Sequence, residues 1–277
     1  MKTTLIFLMG ISLLFPVTAT GQTMQQPLSS ASTGVGTYSL RHTDIFSAVT
    51  NKAALAQLKS TAAGVYGERR FLLNELSNYI AVIGVPTRSG NFGLEAHYAG
   101  STDYNEKMIG LAYARKLGNK ADIGAQFNYT GFRLSGGYGS ASAISFEIGS
   151  VLHLTERLHA GLQVSNPLGG KWGSTKEEKL SSVYTLGFGY DASDKFVCTA
   201  IIEKQENQPV NVQAGLQYRF IPQVLVKAGM STAASSGWFG IGLLIKKIRV
   251  ELISNFHPQL GVTPGLLLLF NFKNPNP

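Results

Sequence analysis

The side chains able to do chemistry here are five histidines, one cysteine and 16 acidic residues. Their spacing argues against catalysis. A nucleophilic serine needs a base beside it and a sharp strand-to-helix turn beneath it. His257 has no reactive serine next to it, and the Gly-rich stretch "GYGSAS" leads into no helix. The same stretch fails as a phosphate loop, because no Lys-Ser/Thr follows the glycines. His153 and His159 flank the turn "LTER" on one parity, but no third His or Cys stands nearby to complete a metal site. Cys198 is alone, so an intramolecular disulfide is excluded, and it alternates with Phe196, Ala200 and Ile202 on an apolar face. Asn128-Tyr129-Thr130 matches a glycosylation acceptor by chance only. No enzyme, no metal and no cofactor is expected. The net charge of +8 forms no basic cluster with interleaved aromatics, so nucleic acid is not an expected partner.

What remains is a set of charges on alternate residues. Glu68 precedes Arg70 by two, and Arg249 precedes Glu251 by two. Read by parity, one face carries Glu68, Arg70, Glu95, His97, Glu147, His153, His159, Glu203, Arg219, Lys227, Arg249 and Glu251, with Trp238 as its aromatic exception. Period-two charge demands strands with one polar and one apolar face. "ADIGAQFNYT" has it: Ile123, Ala125, Phe127 and Tyr129 against Asp122, Gly124, Gln126 and Asn128. "VNVQAGLQYRF" repeats it over 210–220. Runs of about ten residues exceed the usual soluble strand and match a tilted bilayer crossing. Strands are expected at 64–72, 77–85, 91–99, 106–117, 121–130, 141–154, 157–165, 182–191, 195–204, 210–220, 224–231, 237–245, 247–256 and 263–273. Their connections alternate short ("PTRSG", "GNK", "TE", "SD", "PQ") and longer ("GSTDYNE", "NPLGGKWGSTKEEKL", "HPQLGVT"), as in outer-membrane barrels with short periplasmic turns. The first hairpin, around "LNEL", is the short exception. Charged residues are only 14% of the chain, against about 25% in soluble proteins.

The polar face is then a lumen, the apolar face a lipid surface. Tyr98, Tyr113, Tyr129, Phe188, Tyr190, Tyr218 and Phe220 fall on outward positions or strand ends, as girdles do. "GLLLLFNF" is the closing strand, with Leu266, Leu268, Phe270 and Phe272 toward lipid and Leu267 and Leu269 inward. Closure leaves one strand between Glu68/Arg70 and Arg249/Glu251 and so predicts one shared ion-pair network. Residues 1–21 read as a signal peptide: Lys2, an apolar run from Leu5 to Phe15, then small residues. Residues 22–63 read as a hatch or plug with one short helix in "DIFSAVTNKAALAQLKS", for which Asp44 is the expected N-cap. Its apolar residues need cover, which the lumen of the barrel at 64–277 supplies. The expected fold is all-β: a closed antiparallel transmembrane barrel of about 14 strands with a short N-terminal helical plug, in a bacterial outer membrane.

With these residues in view, the chain resembles the PorV/PorQ-type outer-membrane proteins of Bacteroidota-like bacteria, within the FadL-like barrel superfamily. The resemblance lies in "DIFSAVTNKAALA", "GVYGERRFLLNELSNYIAVIGVPTRSGNFGLEAHYAG", "DYNEKMIGLAYARKLGNKADIGAQFNY" and, more loosely, the Phe-ended C-terminus. Members carry an "NPA-L" element; Asn51, Ala53 and Leu55 match it, and Lys52 stands where the proline would be. The resemblance implies a fourteen-stranded barrel whose N-terminal hatch includes Asp44, Phe46, Asn51, Ala53 and Leu55. It implies transport of hydrophobic small molecules or a place in type IX secretion. The alternative is a non-conducting scaffold in an outer-membrane complex. Implied partners are outer-membrane lipid, a hydrophobic small-molecule ligand, a secretion translocon or other outer-membrane proteins, and the barrel-insertion machinery reading Phe270 and Phe272.

Overall fold

A computed structural model describes residues 30–136, 139–172, 179–232 and 236–273. The expected signal peptide, 1–21, lies outside these residues, as does the start of the N-terminal segment. The barrel strands are β1 (Ala62–Arg69), β2 (Ser77–Pro86), β3 (Asn91–Gly100), β4 (Tyr104–Leu117), β5 (Ala121–Leu134), β6 (Gly139–His153), β7 (Leu158–Ser165), β8 (Val183–Asp191), β9 (Phe196–Gln205), β10 (Asn211–Ile221), β11 (Val224–Ser231), β12 (Ser236–Ile245), β13 (Ile248–His257) and β14 (Gly261–Asn271). Each pairs with its sequence neighbours, and β14 returns antiparallel to β1, closing a fourteen-stranded barrel with no free edge.

Side-chain alternation follows the sequence. In β5, Ile123, Phe127 and Tyr129 are exposed outward while Asp122, Gln126 and Asn128 are buried. In β14, Leu266, Leu268 and Phe270 face out and Leu267 and Leu269 are buried in the lumen. Outward rings pair near both ends of the wall, as Phe92 with Tyr113 at 5.1 Å toward the short turns and Tyr79 with Tyr98 at 6.4 Å toward the long loops. The end with the short turns is called inner below, and the end with the long loops outer.

Two expected elements differ. β1 ends at Arg69 rather than Leu72, because Phe71 and Leu72 adopt φ of 52° and 64° and a left-handed backbone cannot continue a strand. The chain turns in at Arg70, and the Phe71 amide donates to Thr263 Oγ1 at 3.0 Å. β14 therefore has no β1 partner before Gly265, which pairs with Glu68. Pro264, with no N–H, sits just beyond that last pair, where a sheet tolerates proline. The single expected helix is split into α2 (Ser47–Thr50) and a 3₁₀ stretch, Lys52–Gln57, with a further short turn, α1 (Ser30–Thr33), upstream. Asn51 lies between them in extended conformation. Its amide donates to the Ser150 and Leu162 carbonyls at 3.3 and 3.1 Å, and that grip on the wall breaks the helix.

Candidate functional site: the filled lumen

The N-terminal segment from α1 to Leu58 occupies the inner half of the lumen. Several inward strand positions carry glycine, and the segment lies directly on them. A Cβ at Gly124 would collide with the Lys52 carbonyl, one at Gly149 with the Asn51 amide, and those at Gly187 and Gly189 with the ring and carbonyl of Tyr38. Phe46, fully buried, packs on Gly64, and Leu55 lies against Gly84 and Gly93. Ile45, Phe46, Val49 and Leu55 form one cluster with the lumen residues Tyr66, Val82, Leu267 and Leu269. Ala53 is buried with Tyr38, Val151 and Ile201. Trp238 is buried against Val35 of the segment and Val197 of β9.

Charged groups anchor the segment at three points. At the first, Lys52, 1% exposed, places its Nζ 2.9 Å from Glu95 and 3.7 Å from Glu147. Glu95 also meets His97 Nε2 at 2.6 Å, and Glu147 accepts from Asn128 and Gln163 at 2.8 and 2.6 Å. Burial opposes the Lys52 charge, but Glu147 and Glu95 outweigh it and hold the ammonium above its ordinary range. The second anchor is Asp44. One carboxylate oxygen accepts from the Phe46 and Ser47 amides at 2.8 and 3.3 Å, capping the turn, and the other binds Arg249. Burial alone would push the Asp44 carboxyl up, yet Arg249 and Lys227 hold it below the ordinary carboxylate range. Arg249 also pairs with Glu251 at 2.7 Å, and Glu251 with Lys227 at 2.9 Å.

The third anchor is a chain of four buried groups on consecutive strands. Asp122 meets His153 Nε2 at 3.0 Å, the two histidine Nδ1 atoms lie 3.0 Å apart, and His159 Nε2 meets Asp191 at 3.3 Å. Gln57 of the segment binds Asp122 at one end, and the Ser39 hydroxyl donates to Asp191 at 2.6 Å at the other. An N···N contact is a hydrogen bond only when one of the two nitrogens carries the proton. The histidine pair thus links Asp122 of β5 to Asp191 of β8. Among the described residues, no group of three or more His, Cys, Asp or Glu is arranged to hold a metal.

Of the expected network of Glu68/Arg70 with Arg249/Glu251, two ion pairs are formed, Arg70 with Glu68 and Arg249 with Glu251, set apart along the wall. Arg249 pairs in register with Leu269, and Leu269 with Gly64, so Arg249 is level with Gly64. Arg70 lies six residues further along the chain (70 − 64), at the outer end, where its Nε meets Glu68 at 3.2 Å. Arg219 lies inward at the inner end of β10 and forms no ion pair among the described residues. The sequence pattern assigns no lumen contact to Lys52, Asp122 or Asp191 and no seat to the inward glycines. Their signals were a lysine inside an apolar run and glycines at inward parity, as in "LGFGYD".

The space left is unequal. Between Ile45, Ala48 and Leu55 and the wall at Val82, Gly93 and Ala112 the cavity is about 10 Å³, the size of one water at most. At the outer mouth a cavity of about 280 Å³ opens among Arg70, Leu76, Asn78, Tyr104 and Glu106.

Solved structures share this architecture. A Pseudomonas aeruginosa FadL homologue aligns over 91% of this chain and 100% of its own, with a TM-score of 0.63 at 13% identity. The fold is similar to that of this FadL homologue. The Pseudomonas putida toluene transporter TodX aligns over 90% of this chain and 98% of its own at a TM-score of 0.61 and 10% identity. A variant of TodX described as a monoaromatic hydrocarbon channel gives 0.60 over 83% and 95%. No family model and no curated protein matches the sequence. At these identities the likeness speaks to the fold.

Proposed function

We propose that the chain is an exported bacterial outer-membrane barrel that passes small hydrophobic compounds, with residues 30–61 as its hatch. The observation that carries this reading is the apolar stripe inside the lumen. A water-filled porin has a polar interior. Here Tyr66, Ile80, Val82, Ile253, Leu267 and Leu269 line one side of it, and the apolar face of the segment covers them. A hatch that moves exposes a track on which an apolar solute gains by leaving water. Asp44, Phe46, Asn51, Ala53 and Leu55 hold the hatch shut, and Phe270 and Phe272 end the strand presented to the insertion machinery. The fold shared with a toluene transporter supports the same reading. Uptake of a labelled monoaromatic hydrocarbon by porin-poor cells should rise severalfold when they carry the protein. No rise would remove the transport reading. The tight packing under the hatch favours the second one, a non-conducting partner in an outer-membrane complex such as type IX secretion. Its mark is co-purification with a translocon and no small ligand.

A further inference from the structure

The lumen is charged asymmetrically along its axis. The inward strand positions of the outer half carry Glu68, Glu106 and Glu203 and, among the described residues, neither Lys nor Arg. Of the inward bases of the strands, Lys116, Arg219 and Arg249 lie toward the inner end and Lys227 lies at mid-strand. Of the acids of the outer half, Glu106 lines the 280 Å³ cavity, whose wall also includes Glu75 and Arg70. Arg70 is engaged by Glu68 at 3.2 Å. Two carboxylates, Glu75 and Glu106, therefore line the cavity beside one guanidinium that Glu68 already holds, in a chain whose total charge is +8.

Glu106 is the decisive group. It is 8% exposed, and its Oε1 accepts the Tyr104 hydroxyl. Its Oε2 is buried with no hydrogen-bond partner. A buried carboxylate oxygen without a donor is costly, and a bound donor removes that cost. Leu76, Ala99 and the Tyr104 ring supply apolar wall beside it. We propose that the outer mouth is a receiving site for organic amines: small apolar molecules whose ammonium turns to Glu106 while the hydrocarbon part rests on Leu76 and Tyr104. The site repels carboxylates of the same size. This rests on the reading of the lumen as a path for hydrophobic compounds and names the class it admits.

The test is isothermal titration of the full barrel in lipid nanodiscs at neutral pH and low salt, with three probes of one shape: phenethylamine, phenylacetate and phenethyl alcohol. The amine should bind about tenfold or more tighter than the carboxylate, with the alcohol between them, and added salt should narrow the gap. Glu106→Gln should bring amine and alcohol within about twofold of each other. Tyr104→Phe, which removes the donor on Oε1 and leaves the carboxylate in place, should keep or widen the preference for amine. Heat-modifiable gel mobility reports whether each variant is folded. If Glu106→Gln does not fold, the wild-type series and Tyr104→Phe decide. Phenylacetate binding as tightly as phenethylamine overturns the inference, as does a preference that survives Glu106→Gln. If the alcohol binds as well as the amine, the amine site is refuted while the hydrophobic path stands. If no probe binds, both fall.

Discussion

At the scale of single residues, Lys52 has the most to lose. A lysine 1% exposed is tolerable only because Glu95 and Glu147 surround it. Lys52→Met leaves two buried carboxylates without their cation, and such a break costs about 3–5 kcal/mol. The variant should unfold at lower denaturant and release the hatch to protease before the barrel opens; an unchanged midpoint refutes the buried triad. The sequence showed this residue only as a departure from an expected proline, since the parity of the chain says nothing of what a plug residue meets across the lumen. Asp44 makes a second prediction, through pH. Its carboxyl sits below the ordinary range, so the unfolded chain takes up a proton first. The stabilisation is complete above about pH 4, the unfolded value, and is lost as pH falls through the lower folded value. Asp44→Asn should therefore be weaker than wild type at neutral pH and converge with it in strong acid. A gap between their thermal midpoints that stays constant down to strong acid argues against the Arg249 contact.

At the scale of elements, the fourteen strands were legible because each obeys one local rule. One face meets lipid and the other the lumen, so parity reads directly as orientation. The alternation of short and long connections fixed which end is which. β1 defeated the same rule. Its outer end is decided by a turn at Phe71 and Leu72 and by Thr263 on the last strand, and no local pattern contains that partner. The apolar surface of the N-terminal segment and its need for cover were legible, but the split at Asn51 depends on carbonyls of β6 and β7. The glycine seats combine both kinds of information: parity places them inward, and only the fold shows what rests on them. Gly189 tests them. Its Cβ would meet the Tyr38 carbonyl, a backbone atom that no rotamer change can move aside. Gly189→Ala should lift the segment near Tyr38 and leave the strand ladder intact. The expected result is faster proteolysis of residues 30–61 with unchanged β-sheet circular dichroism. Equal proteolysis of the two proteins excludes the seat.

For the whole molecule, closure decides everything above. The lumen exists only if the last strand returns to the first, and that contact joins opposite ends of the chain. Val65 and Leu268 are in register across the β1–β14 seam, and both face outward. Directly opposed residues of an antiparallel pair bring their Cβ atoms to about 4.5–5.5 Å, near enough for a disulfide after a small shift. At the outer end of this seam β1 stops at Arg69, and Gly261–Pro264 of β14 have no β1 partner. Val65→Cys with Leu268→Cys, in a background where Cys198 is replaced by alanine, should therefore oxidise within one chain and run as a compact band that reductant relaxes. A second pair above the seam, Leu72→Cys with Val262→Cys, should fail to close, because the chain has already turned inward at Arg70 and leaves Leu72 exposed and outside the ladder. Cross-linking of both pairs would show a continuous strand through Leu72 and erase the outer mouth that Arg70 and Glu106 line. Cross-linking of neither would leave the sheet open and the N-terminal segment without a lumen to occupy.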